Sequence, residues 1–296
     1  MAAREHRRTL LLSIDFEDWH QLVRRRVGAS GWQEPGPALR RQTERLLGLL
    51  DELGVRATFF ILGMAARAHP DLVKQIAASG HEIGCHGDSH QLVHTQTPQE
   101  FAADLRRART TIQELAGVAP AGYRAPAFSI TQQTPWAYEV LAEAGFAYDA
   151  SQHDSPRIRD RVVASEFGPH CIQLKSGSLW ELPVAVWRAG TLRVPVGGAS
   201  YWAALPTPLI LKGLEQSGPL AGLYLHPYEL DPETLRPGLP GSATPSQRAQ
   251  VAIRAAQRNL ARLRATPVLR AIAGRHQLIP YGEAYAQLSP RPPEGS

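Results

Sequence analysis

Short apolar runs alternating with helix-patterned segments through the first half of this 296-residue chain limit its fold more than any other feature. Thr9 to Ile14 is one such run and stops at acids, Asp15, Glu17 and Asp18, which predicts a buried strand whose C-terminal end presents carboxylates. Ala38 to Leu53 places Leu46, Leu49, Leu50 and Leu53 at helical spacing and stops at Gly54, a C-cap residue. Ala57 to Leu62 predicts a second strand, Pro70 to Ser79 a helix, and Glu82 to Cys85 a third strand. Thr97-Pro-Gln-Glu100 is a capping box with Pro at the first helical position, and Phe101, Leu105, Ala108, Ile112 and Leu115 carry that helix to Gly117. Gly122 to Phe128 predicts a strand with its loop, and Thr134-Pro135 opens a helix ending near Gly145. Strand–helix units at ~30 to 40 residue spacing argue for parallel strands with outer helices. The expected fold is α/β, a (β/α) barrel, complete or distorted.

Past Asp149 the runs shorten to Val162–Ala164, Cys171–Leu174 and Leu179–Val186, separated by polar and Gly/Pro turns. Leu220 to Leu225 predicts a last strand that ends at His226. Thr244-Pro-Ser-Gln247 is a second capping box and opens a helix to about Arg264. The expected organisation is one domain over residues 9–285, with loop or hairpin decoration about 151–200 and a flexible tail at 289–296.

Composition excludes several classes. Lys and Arg exceed Asp and Glu by 32 to 27, but basic residues such as Arg254, Arg258, Arg262 and Arg264 share a helix, which predicts a solvated face and no nucleic-acid partner. The excess suits an anionic ligand or a membrane surface carrying a lipid-linked substrate. Cys85 and Cys171 make no disulfide framework. The apolar run after the basic N-terminus ends at Ser13, short of the ~7 to 15 residues of a signal-peptide core, and no segment approaches the ~20 apolar residues of a membrane span. The cytoplasm is the expected location.

Chemistry concentrates at the predicted strand ends. His86 and His90 stand four apart after the third strand, and two imidazoles with a carboxylate from the acidic cluster would make a divalent metal site with positions left for water. Arg124-Ala-Pro126 follows the next strand and Leu225-His226-Pro227 the last. In this order the motifs resemble the NodB-type polysaccharide deacetylases, carbohydrate esterases that remove N-acetyl groups from amino sugars. Asp15-Phe-Glu-Asp18 and His226-Pro-Tyr-Glu229 are most similar to the exopolysaccharide-locus subgroup, with peptidoglycan deacetylases as kin, and the resemblance spans Leu10 to about Tyr285.

That resemblance implies a metal-dependent N-deacetylase acting on an amino-sugar glycan or its lipid-linked precursor. His86, His90 and one acid would hold the ion. Zinc is expected, with cobalt, nickel or manganese also used in the family. The family's first motif is Thr-Phe-Asp-Asp, from which this chain departs. Asp15 is expected as general base and Asp18 as ligand, with Glu17 the rival for either role. Arg124 would pair with the base, and His226 would protonate the departing amine. Pro126 shapes a loop whose N–H groups near Ala127 and Phe128 would complete an oxyanion hole, although many relatives have Tyr there. Trp180 would wall the acetyl methyl group, and Glu181 would orient the catalytic imidazole. The alternatives are an allantoinase-like hydrolase of another C–N bond, which predicts a closed polar pocket, and a glycan-binding module without catalysis. The latter would need none of Asp15, His86, His90, Arg124 or His226.

Overall fold

Along the strand Thr9–Phe16 (β1), every residue from Leu10 onward is buried although side chains alternate between two faces. Both faces are therefore covered, as in a parallel sheet with helices outside it. In the computed structural model, which describes residues 7–155 and 168–289, β1 leads to helices Trp19–Arg26 (α1) and Leu39–Glu52 (α2). Thr58–Ile61 (β2), Gly63–Ala68 (α3), Pro70–Ala78 (α4), Glu82–Cys85 (β3), Pro98–Ala116 (α5), Gly122–Tyr123 (β4), Trp136–Glu143 (α6) and Tyr148–Asp149 (β5) follow. The second half holds His170–Leu174 (β6), Gly177–Glu181 (β7), Val186–Ala189 (β8), Leu192–Pro195 (β9), Ala199–Trp202 (α7), Thr207–Glu215 (α8) and Gly222–Leu225 (β10). Pro245–Arg275 (α9), Gln277–Ile279 (β11) and Tyr281–Leu288 (α10) complete the chain.

One nine-stranded sheet runs β10-β1-β2-β3-β4-β5-β7-β6, parallel except for β6 on β7, with β11 beside the first residues of β1. Single parallel bridges, Val184 to Gly222 and Gly198 to Tyr224, join the chain beyond β7 back to β10. The result is the distorted barrel expected from the strand–helix alternation. Leu10, Leu12, Ile14 and Phe16 pack outward with Phe59, Ile61 and Cys85 beneath the helices, while Leu11 and Phe60 join Tyr148 and Tyr281 in a separate inner cluster.

Several elements differ from the sequence reading. The α1 helix is an addition, begun by Asp18, whose carboxylate accepts the N–H of His20. Instead of stopping near Arg264, α9 continues through Pro267, because Val268, Leu269 and Ile272 are buried there and outweigh the ~3 kcal/mol that an interior proline costs. β7 is a barrel strand rather than decoration, whereas β8 and β9 form a separate antiparallel hairpin. The Val162–Ala164 run and residues 290–296 of the expected tail lie outside the described residues. No helix among the described residues is long and apolar enough to cross a membrane.

The β11–α10 segment, also unanticipated, reaches into the barrel. Tyr281 N–H donates to Thr58 Oγ1 at 2.7 Å and Gly282 N–H to Glu82 at 2.7 Å. Gly222 makes room, since a Cβ there would lie 1.9 Å from Tyr281 Oη. Gly222→Ala should therefore lose about 1–3 kcal/mol of stability in urea unfolding. Wild-type stability in that variant would contradict the inward placement of Tyr281.

Candidate active site

Arg124 sits inside the barrel with no exposure, just past β4. Its Nη1 donates to Asp15 Oδ1 at 2.8 Å and Ser13 Oγ at 2.6 Å, its Nη2 to Tyr281 Oη at 2.9 Å, and its Nε to the Ala150 carbonyl at 3.0 Å. The guanidinium also lies 4.3 Å over the Phe60 ring. Burial opposes this charge, and Asp15 with Tyr281 overcomes it. Asp15 can face Arg124 because β1 extends to Phe16, which keeps Ser13 and Asp15 on the inner face.

Glu17, just past the end of β1, meets His86 and His90. Glu17 Oε2 lies 3.6 Å from His86 Nε2 and 3.1 Å from His90 Nε2, and the three residues offer ligand atoms all within 4.8 Å of one another. The loop between the imidazoles is pinned from outside. Asp104 accepts Asp88 N–H at 2.8 Å, and Arg67 holds the Asp88 carboxylate at 2.7 Å. Gly87 turns at φ +81, where a Cβ would press to 3.0 Å from Asp104, and His90 at φ +57 follows. His86 Nδ1 is 2.8 Å from the Arg124 carbonyl, which can only accept, so Nδ1 carries the proton and Nε2 presents a lone pair to the cluster. Two imidazole lone pairs and a carboxylate converging in a buried place are stabilised by a proton or a cation between them. Separations of 3.1 and 3.6 Å suit ligands bonded to one ion at ~2.0–2.2 Å. The donor set thus fits a divalent metal.

His226 faces this triad from the end of β10. Its Nε2 lies 3.4 Å from Glu17 Oε1 and 4.0 Å from Asp15 Oδ2. Its Nδ1 donates to Glu229 Oε2 at 3.0 Å, and its backbone N–H reaches the same oxygen at 3.0 Å. Burial disfavours the imidazolium, but Glu229, then Glu17 and Asp15, raise its pKa to about 9. Tyr228 stacks on the ring at 4.9 Å and 20°. The sequence reading assigned Glu229 no role, yet His226-Pro-Tyr-Glu229 repeats the spacing of Thr97-Pro-Gln-Glu100, with an imidazole in place of the hydroxyl.

Four expectations need correction. Asp18, the expected ligand, does not join the imidazoles; it caps α1 and accepts the Gly36 N–H, because the backbone has already turned out of the strand. Glu181 does not reach His226; its Oε1 accepts Gln152 N–H at 2.9 Å, and burial followed by Asp149 keeps its carboxyl well above the ordinary range. Trp180 packs with the Tyr148 and Tyr281 cluster. Arg258 and Arg262 leave the solvated face: Arg258 reaches Ser200 and Glu229, and Arg262 the carbonyls of Asp231 and Pro232.

The Phe128 ring lies 5.7 Å from the Arg124 guanidinium. Pro126 opens a tight turn in which Ala127 and Phe128 adopt φ +51 and +56, conformations rare away from functional sites. Phe128 and Ser129 N–H groups bond within the turn, at 3.0 Å to Ala125 and 3.2 Å to Pro126. That leaves Ala127 N–H as the donor without a backbone partner among the described residues. His153 is buried between Phe128 and Tyr224, with neither ring nitrogen hydrogen-bonded among the described residues.

Residues 33–148 match the family model described as polysaccharide deacetylase, and residues 154–268 match a domain of unknown function, DUF3473. The chain is 35% identical over 136 residues to a peptidoglycan deacetylase of Helicobacter pylori, covering 46% of this chain and 41% of the relative. It is 31% identical over 158 residues to the peptidoglycan deacetylase-like protein FGM2 of Gibberella zeae, covering 48% and 43%. The matches thus span less than half of these relatives. The crystal structure of a probable polysaccharide deacetylase from Pseudomonas aeruginosa PAO1 superposes with a TM-score of 0.60 over 97% of this chain and 92% of that one, at 13% identity, a likeness of fold.

Asp15→Ala would leave the Arg124 charge buried without its carboxylate, and should lower unfolding free energy by about 3–5 kcal/mol. An unchanged denaturation midpoint would show that the pair does not carry the barrel interior.

Proposed function

We propose, on the footing that this chain carries a polysaccharide deacetylase domain, that it hydrolyses the N-acetyl amide of N-acetylhexosamine units in a glycan, using a divalent ion held by Glu17, His86 and His90. One observation carries the reading: an imidazole fixed by Glu229 lies 3.4 Å from Glu17 of that triad and 4.0 Å from a carboxylate fixed by Arg124. Amide hydrolysis needs these two proton-handling groups beside one electrophilic centre.

When bound, the ion supplies Lewis acidity, lowering the pKa of water and drawing charge from the amide oxygen. Asp15 takes the proton of the attacking water, and Arg124 holds this carboxylate in place. Ala127 N–H is the donor toward the developing oxyanion. His226 gives its Nε2 proton to the departing amine, while Glu229 holds Nδ1 and so fixes which nitrogen faces the substrate.

Zinc suits two imidazoles and a carboxylate, and cobalt, nickel or manganese fit the same donors. The substrate we infer is an exopolysaccharide precursor, free or lipid-linked, met in the cytoplasm. Peptidoglycan-type strands belong in the same assay because both named relatives carry peptidoglycan deacetylase names.

With zinc-loaded protein and N-acetylglucosamine oligomers, acetate release should be measurable, and Asp15→Asn and His226→Ala should each lower kcat by ~100- to 10,000-fold. Variants as active as wild type would refute the assignment. Metal content separates the acids of the first motif. By mass spectrometry Glu17→Gln and His86→Ala should lose bound zinc while Asp18→Asn keeps it; the reverse pattern would return the ligand role to Asp18.

A further inference from the structure

We infer that Arg258, carried by α9, is a positioning residue for His226, and that the 154–268 segment, which matches a domain of unknown function, is the half of the active site that aims the proton donor. The inference rests on the reading of His226 as the acid for the departing amine.

The geometry gives Arg258 two routes to this imidazole. Glu229 divides its oxygens: Oε2 takes both N–H groups of His226 at 3.0 Å, whereas Oε1 accepts Ser200 Oγ–H and lies 3.7 Å from Arg258 Nη1. Arg258 also donates to Ser200 Oγ, so α7 and α9 together clamp the outer oxygen. A carboxylate fixed at one oxygen cannot rotate away at the other, and the Nδ1 contact is held in direction as well as distance. The second route runs through Tyr228. Its ring stacks on His226 at 4.9 Å, and the Arg258 guanidinium lies 5.7 Å from the same ring centroid. Glu229 and Tyr228 are fully enclosed, and Arg258 keeps 35% side-chain exposure, so it reaches the site from the surface helix.

The distribution along the chain is equally plain. Asp15, Glu17, His86, His90 and Arg124 all precede residue 150, while Ser200, His226, Glu229 and Arg258 all lie within 154–268. Neither portion alone brings both proton-handling groups to the triad. The helix-borne arginine thereby explains why a segment without deacetylase motifs of its own, apart from His226, accompanies the deacetylase match.

The test compares Arg258→Met, Arg258→Lys, His226→Ala and the double variant His226→Ala/Arg258→Met, all zinc-loaded, by acetate release from an N-acetylglucosamine pentamer. Arg258→Met should lower kcat about tenfold to a hundredfold, the loss usual for a group that orients an active-site imidazole. KM should stay within about twofold, and Arg258→Lys should recover part of the rate. In the His226→Ala background the same change should cost nothing further, because no imidazole remains to be aimed. An unchanged kcat in Arg258→Met, or an equal loss with and without His226, would overturn the inference. A crystal structure of Arg258→Met reads positioning without turnover: a His226 ring displaced from Glu229 supports it, and an unmoved ring overturns it. If wild type releases no acetate from any N-acetylated glycan, the deacetylase reading fails by itself, and the ring position still decides the role of Arg258.

Discussion

A guanidinium enclosed in a protein interior is tolerated only if its partners replace the water it has lost. Arg124 meets that condition with Asp15, Ser13, Tyr281 and the Ala150 carbonyl, groups drawn from three separate parts of the chain. The barrel interior is organised around this single charge. The same residue's carbonyl fixes the His86 tautomer, so one position both orients the Asp15 carboxylate and turns the His86 lone pair toward Glu17 and His90. Strain in the following turn at Ala127 and Phe128 is held by that anchoring.

The inner layer is unusual for a small barrel because it is polar where aliphatic side chains would serve stability better. Glu82 illustrates the cost. Burial raises its carboxyl pKa, although Thr58, Tyr148 and the Gly282 N–H act in the other direction. These groups tie the C-terminal segment to the sheet on the side where Tyr281 meets Arg124. The C-terminal helix therefore belongs to the support of the site, which its position at the end of the chain does not suggest.

Much of this was legible in the sequence. The strand–helix alternation was readable because hydrophobic period and capping boxes agreed locally, as at Thr97-Pro-Gln-Glu100. Asp15, Arg124, His86, His90 and His226 could be singled out because each lies at or just past the end of a predicted strand. The choice between Glu17 and Asp18 stayed open in the sequence because it falls at a strand end, where a one-residue turn decides which carboxylate faces the imidazoles. Asp18 heads a helical run, and its N-cap position was the missed signal. Strands of two residues, β4 and β5, carry too little periodicity to bound. Glu181 was favoured over Glu229 because the family resemblance places an orienting carboxylate in its region, whereas in the structure a local i,i+3 contact brings Glu229 to His226. Arg258 was beyond reach, since its role depends on α7 and α9 packing across distant sequence.

An anomalous-difference map from crystals grown with zinc tests the centre of the account most directly. The expected result is one strong peak at ~2.0–2.2 Å from His86 Nε2, His90 Nε2 and a Glu17 oxygen, with Asp18 still on the His20 and Gly36 amides. A peak bound by Asp18, or no peak among these three side chains at full zinc loading, would contradict it.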